Sequence, residues 1–149
     1  MLQKSDIVGQ RLVKVLQTPW TDPKYIVEGI GPTAYCNVMF ELDSGLRFQI
    51  YGDEVEPWSE QGPLMPVEVY REVDRKFIGE EIVEVIVSED ELPIQLYLIL
   101  ANGTILAPGY YLDLYGTRNF VCGVDSIHKY AGGPFKTYWE GATCTPAAI

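Results

Sequence analysis

The stretch from Val38 to Tyr51 reads VMFELDSGLRFQIY, and its pattern decides the fold. Val38, Phe40 and Leu42 alternate with Met39, Glu41 and Asp43; beyond Ser44-Gly45, Leu46, Phe48 and Ile50 alternate with Arg47, Gln49 and Tyr51. A period of two on both arms gives each arm one apolar face, the mark of half-buried strands rather than of a helix. Gly45 supplies the positive φ that a short Asp-Ser-Gly connection needs, and the Asp43 carboxylate is suited to hydrogen-bond the turn backbone. An antiparallel hairpin follows. Burying its six apolar side chains contributes roughly 9–18 kcal/mol gross, and ordering the backbone at about 1–2 kcal/mol per residue offsets most of that. The hairpin therefore has to pack on something else in the chain.

Its packing partner is a second copy of the same plan. Upstream, Ile7-Val8-Gly9-Gln10-Arg11-Leu12-Val13-Lys14-Val15 reads as a turn at Gly9 feeding a β-branched strand; seventy residues later Phe77-Ile78-Gly79-Glu80-Glu81-Ile82-Val83-Glu84-Val85 repeats it. Gly9, Val13 and Val15 recur as Gly79, Val83 and Val85, while Arg11 and Lys14 become Glu81 and Glu84. The hairpin recurs at an offset of fifty-eight, with Leu42-Asp43-Ser44-Gly45 matched by Leu100-Ala101-Asn102-Gly103 in a hairpin from Ile94 to Pro108. We read this as an internal repeat.

The unequal offsets place about twelve extra residues in the first copy, between its first strand and its hairpin. They fall in the proline- and glycine-punctuated excursion from Thr18 to Thr33, around a short strand expected at Tyr25 to Ile30. Loops tolerate growth and carry binding residues, so an insertion limited to one copy marks a place to look for function. Between the copies, Tyr51 to Pro63 is acidic and broken by Gly and Pro, and reads as a solvated loop that ends the first unit. Pro66 to Ile78 suits a helix or a strand equally. Past Pro108, Gly109 to Gly116 and Asn119 to Val124 extend or cap the sheet, and the tail from Ala142 to Ile149 reads as loop. The expected architecture is mainly β (β or α+β): two repeated antiparallel β units packed into one compact domain, with at most one or two short helices. The units are 1–60 and 77–149, joined by a connecting segment, 61–76.

A chain of 149 residues with 47% hydrophobic content is large enough to bury one sizeable core. No run of eighteen apolar residues is present, and the first residues lack the unbroken hydrophobic run of a signal peptide, so the expectation is a soluble cytoplasmic protein with no membrane role. Eleven basic against twenty-one acidic residues give a net charge of −10. Nucleic-acid binding depends on a basic patch, and none is visible. The acidity is spread over the chain, with −5 on either side of Arg75. It serves solubility, or steers a basic partner into contact.

No residue pattern specifies chemistry. Cys36, Cys122 and Cys144 are far apart and in no CxxC pair. They are buried or idle thiols or, in an exported form, a single Cys122 to Cys144 bridge. His128 is the only histidine, which excludes His-based metal clusters, and no G-x-S-x-G elbow accompanies it. The acidic runs at Asp53-Glu54-Val55-Glu56 and Glu89-Asp90-Glu91 lack the frame of a calcium loop. We expect no catalytic residue, metal or cofactor. What remains is aromatic content beside acids, which supplies contact area at interfaces at low entropic cost.

The pattern G-x-x-[LI]-V-x-V followed by a β-arm ending in D-S-G or N-G, quoted from Gly9 to Val15 with Phe40 to Ile50 and from Gly79 to Val85 with Leu98 to Leu106, resembles small acidic bacterial β-rich domains of unknown function. Some of these belong to toxin-immunity systems, and the resemblance implies a protein that blocks a toxin by binding it. The first functional expectation is thus a non-enzymatic protein-binding module, an immunity-type inhibitor of a basic toxin. Its site residues are Trp20, Asp22, Tyr25, Asp53, Glu54, Glu56 and Trp58, in the insertion and the inter-unit segment. The alternative is a small-molecule-binding or enzymatic domain with a cleft between the two units; a third reading is an assembly subunit pairing through a long unpaired edge strand.

Overall fold

The computed structural model describes residues 1–17, 26–27, 31–32, 38–51, 53–58, 71–72, 77–88, 95–108, 112–117, 120–122 and 134–146. After a one-turn helix, α1 (Lys4–Ile7), the described elements are strands. They are β1 (Leu12–Gln17), β2 (Ile26–Val27), β3 (Gly31–Pro32), β4 (Val38–Leu42), β5 (Arg47–Tyr51), β6 (Glu54–Pro57), β7 (Arg71–Glu72), β8 (Ile82–Ser88), β9 (Gln95–Leu100), β10 (Thr104–Pro108), β11 (Leu112–Thr117), β12 (Phe120–Cys122), β13 (Phe135–Thr137) and β14 (Thr143–Pro146). One sheet runs β6-β5-β4-β1-β7 and a second runs β11-β10-β9-β8-β13-β14-β12, while β2 and β3 form a small hairpin of their own. The molecule is mainly β, as the alternation of Val38 to Tyr51 implies.

The two sheets are built on one plan down to the register. In the first, Val15 opposes Phe40 and Phe40 opposes Phe48; in the second, Val85 opposes Leu98 and Leu98 opposes Leu106. Each first strand carries a bulge at the same point, between Leu12 and Lys14 and between Ile82 and Glu84. Both hairpins turn through three residues, Asp43-Ser44-Gly45 and Ala101-Asn102-Gly103, with Gly45 N–H bonded to Leu42 O and Gly103 N–H to Leu100 O, both at 2.9 Å. Gly45 and Gly103 have φ of 90° and 85°, a region that costs a residue with a Cβ about 1–2 kcal/mol. The Asp43 side chain does not close its own turn as expected: its Oδ1 accepts from Arg11 N–H at 3.1 Å, and the turn bond falls to Ser44 Oγ, or in the second unit to Asn102 Oδ1.

A pseudo-two-fold seam joins the units. Gly9 N–H donates to Ile82 O at 2.8 Å and Gly79 N–H to Leu12 O at 2.7 Å; Leu12 N–H donates to Glu80 O at 3.0 Å and Ile82 N–H to Gln10 O at 2.9 Å. Each bond is its partner's image under the seventy-residue offset, and Arg11 pairs with Glu81 at the centre. Gly9 and Gly79, with φ of 93° and 91°, turn the chain into the seam. Beneath it lies one core drawn from both units: Ile7, Leu12, Val15, Phe40, Leu42 and Phe48 pack with Ile82, Val85, Leu98, Leu100 and Leu106. Phe40 and Phe48 stack with centroids 4.9 Å apart.

Three readings change. Tyr51 to Pro63 is not simply a loop: Glu54–Pro57 is a strand, because Val55 has a buried place to fill beside Ile50. The tail is not simply loop either, since Thr143–Pro146 lies between β13 and β12, its alternation too short to stand out without those neighbours. Cys144 is buried but is not a free thiol, because it is disulfide-bonded. Within Pro66 to Ile78, Arg71–Glu72 is a strand paired to β1 and 77–79 form a turn; the rest of that segment lies outside the described residues.

Candidate functional site

β6 forms one margin of the first sheet and carries the acids singled out in the sequence. Its register on β5 sets Glu54 opposite Tyr51, Val55 opposite Ile50, Glu56 opposite Gln49 and Pro57 opposite Phe48. Val55 is buried, so the alternation turns Glu54 and Glu56 the other way. Asp53 and Glu54 are exposed and make no ion pair with a described residue. Glu56 is half-buried, its Oε1 accepting from Gln49 Nε2 at 2.9 Å. Trp58 continues the ladder, its N–H donating to Arg47 O at 3.0 Å, with a half-buried side chain. Glu54 and Glu56 thus lie on β6, with Asp53 in the turn before it and Trp58 just past its end. Trp20, Asp22 and Tyr25, the expected site residues of the insertion, lie outside the described residues, as does His128.

The outward edge of β6 is blunted. Trp58 N–H points to β5, so along the strand Glu54 and Glu56 do the same, while Val55 and Pro57 face away. Pro57 has no N–H. Val55 N–H is taken by the Tyr138 hydroxyl at 3.2 Å. A β6 edge with neither outward N–H free to donate is a poor template for strand addition, which weighs against this edge in the assembly reading.

Tyr138 belongs to the turn between β13 and β14, a feature the sequence did not single out as a site. Its ring meets Trp139 edge-on at 4.9 Å, and Trp139 Nε1 donates to Leu2 O at 3.1 Å. In the next position Glu140 takes the Lys4 ammonium at 2.9 Å, and Glu84 Oε2 takes it at 3.2 Å. The Glu140 hydrogen bond holds the Lys4 ammonium above the usual lysine range, partial desolvation opposes the shift, and Glu84 adds to it. This turn fastens β6 and the chain's first residues to the second unit.

Where the alternative reading put a cleft between the units, the described residues form the shared core, with Leu12, Val15, Ile82 and Val85 all at 0% exposure. Among the described residues no group of three or more His, Cys, Asp or Glu side chains is arranged to hold a metal ion. No described helix is long and apolar enough to cross a membrane. Compared with known protein families, curated proteins and solved structures, the chain matches none.

Proposed function

We propose that this chain is a non-enzymatic protein-binding module that meets a basic partner through the acidic β6 margin, in the manner of an immunity-type inhibitor blocking a basic toxin. The observation that carries the reading is the pair Asp53 and Glu54, exposed at the start of an edge strand that continues to the half-buried Trp58 and whose outward Val55 N–H is already bonded. Exposed carboxylates on the same margin as an aromatic side chain favour a cationic surface and discriminate against an acidic one. The net charge of −10 adds long-range attraction that salt screens. Among the described residues a packed core joins the units, which makes the ligand-cleft alternative the weaker reading.

The cytoplasmic expectation rests on the lack of long apolar runs and takes no account of a disulfide. The bonded Cys144 turns the proposal toward an oxidising compartment.

The test is capture of a partner by the intact protein at low and high salt, compared with Asp53→Asn/Glu54→Gln/Glu56→Gln. The expected outcome is a basic partner whose binding falls steeply with salt and weakens at least tenfold in the triple variant, with the denaturation midpoint little changed. Binding indifferent to both salt and the variant overturns the placement.

A further inference from the structure

We propose that Cys122 supplies the second sulfur of the Cys144 disulfide, and that the protein therefore works where disulfides are sustained. The inference does not depend on the partner proposed above. Besides Cys144 the chain has two cysteines, Cys36 and Cys122. β12 and β14 pair antiparallel with Phe120 opposite Pro146, Val121 opposite Thr145 and Cys122 opposite Cys144. Directly opposed residues of an antiparallel pair share a face and hold their Cα atoms about 4.5–5.5 Å apart. That lies inside the span of about 4.4–6.8 Å over which a disulfide closes without moving the backbone.

The place of the bridge in the sheet gives it a structural purpose. A single row crosses four strands, Ser88 opposite Phe135, Phe135 opposite Cys144, and Cys144 opposite Cys122. Cys144 is fully buried and packs with Ile86, Tyr97, Ile99, Ile105 and Phe135. β12 is a three-residue strand at the end of the strand order, and among the described strands it pairs with β14 alone. Three residues of ladder hold a margin weakly, and a covalent tie at the inner end of that ladder holds it firmly. Burial of Cys144 also keeps the bond from small thiols, so it is a structural tie rather than a switch.

Forming the bridge removes two electrons and two protons from the cysteine pair. The oxidant we name by class is a protein disulfide donor of the thiol–disulfide oxidoreductase type. One cysteine thiolate attacks the donor disulfide to give a mixed disulfide, and the second thiolate displaces the donor, which leaves as a dithiol. The glutathione and thioredoxin systems of a reducing cytoplasm work against this exchange.

The experiment takes the full chain from the cells that make it, blocks free thiols in denaturant with an alkylating agent, and maps the unreduced digest by mass spectrometry. The expected result is alkylation at Cys36 alone before reduction, at all three cysteines after it, and a Cys122 peptide joined to a Cys144 peptide. Reduction lowers Tm by about 6–12 °C. Cys36→Ser leaves Cys144 protected and shows the same loss, whereas Cys122→Ser exposes Cys144 to the reagent; if that variant fails to fold, the native digest decides alone. A Cys36–Cys144 peptide, a bridge between two chains, or three alkylated cysteines before reduction overturns the proposal.

Discussion

The outer faces of the two sheets part company at positions the register makes equivalent. On the first sheet they are Leu16, Met39, Glu41, Arg47 and Gln49; on the second, Ile86, Tyr97, Ile99, Ile105 and Ala107. Glu41 and Arg47 form an ion pair at 2.8 Å with side chains 24% and 43% exposed, whereas Ile99 and Ile105 are 4% and 1% exposed in a second core with Phe135 and Cys144. The inner faces are alike because one core needs them so. The outer faces were free to diverge: one became a further apolar layer, and the other kept charge at its surface next to the acidic β6 margin. On the proposed reading, interaction falls to the first unit and anchoring to the second.

Exchanging the faces is the strongest way to break this comparison. Ile99→Glu buries a carboxylate without its arginine and is expected to cost about 3–5 kcal/mol, while Glu41→Ile, which loses a partly exposed ion pair, stays within about 1 kcal/mol. Denaturant midpoints at constant m-value measure both. Equal losses would mean that the two outer faces are not different environments. Truncating the shared core comes next. Leu12→Ala and Ile82→Ala, both at fully buried and equivalent positions, are each expected to cost about 2–5 kcal/mol and to unfold in one transition by tryptophan fluorescence and by circular dichroism. Separate transitions would divide the molecule into two domains.

The seam glycines sharpen the comparison at smaller scale. A Cβ at Gly9 or Gly79 meets no atom within 4 Å, so Gly9→Ala and Gly79→Ala cost only their backbone conformation, about 1–2 kcal/mol each, and alike. Unequal losses in thermal denaturation would show that the seam is not symmetric in energy. Smallest is the Lys4 contact to Glu140 and Glu84. Because the folded chain holds the Lys4 proton more tightly than the unfolded one, the stabilisation is complete below the ordinary lysine value of 10.5 and is lost as pH rises through the raised folded value. Lys4→Met is expected to be less stable than the parent by under about 1 kcal/mol at pH 7, and the gap to close in strong alkali. A gap that persists there would assign the effect to packing of the lysine stem.

Much of this fold is legible in the sequence for a plain reason. Period-two alternation and the two turn glycines are local signals, so both hairpins and the mainly β class follow from residues close together in the chain. The predicted inner face of Val38, Phe40, Leu42, Leu46, Phe48 and Ile50 all joins the shared core, with Leu46 and Ile50 only partly buried. Met39 escapes the pattern, because alternation assigns it to the solvent face and it is 1% exposed. The pieces that short windows miss are those whose neighbours are distant. β13 and β14 have three and four residues and little apolar signal, and exist as strands through pairing with β8 and with each other. The β6 acids were visible as residues, but the blunted edge was not, since it needs Tyr138 from more than eighty positions away. Composition likewise left the cysteines open between buried or idle thiols and a bridge, and only strand register sets Cys122 opposite Cys144.

That two like units act as one scaffold is tested most directly by native-state amide hydrogen exchange at the seam. The Gly9, Leu12, Gly79 and Ile82 amides all donate across it. Single-domain behaviour predicts that these four exchange with one free energy, equal to that of the central strands β4 and β9 and to global unfolding. Seam amides that exchange well before those strands, with β4 and β9 still protected, would contradict it by showing two units that part while each stays folded.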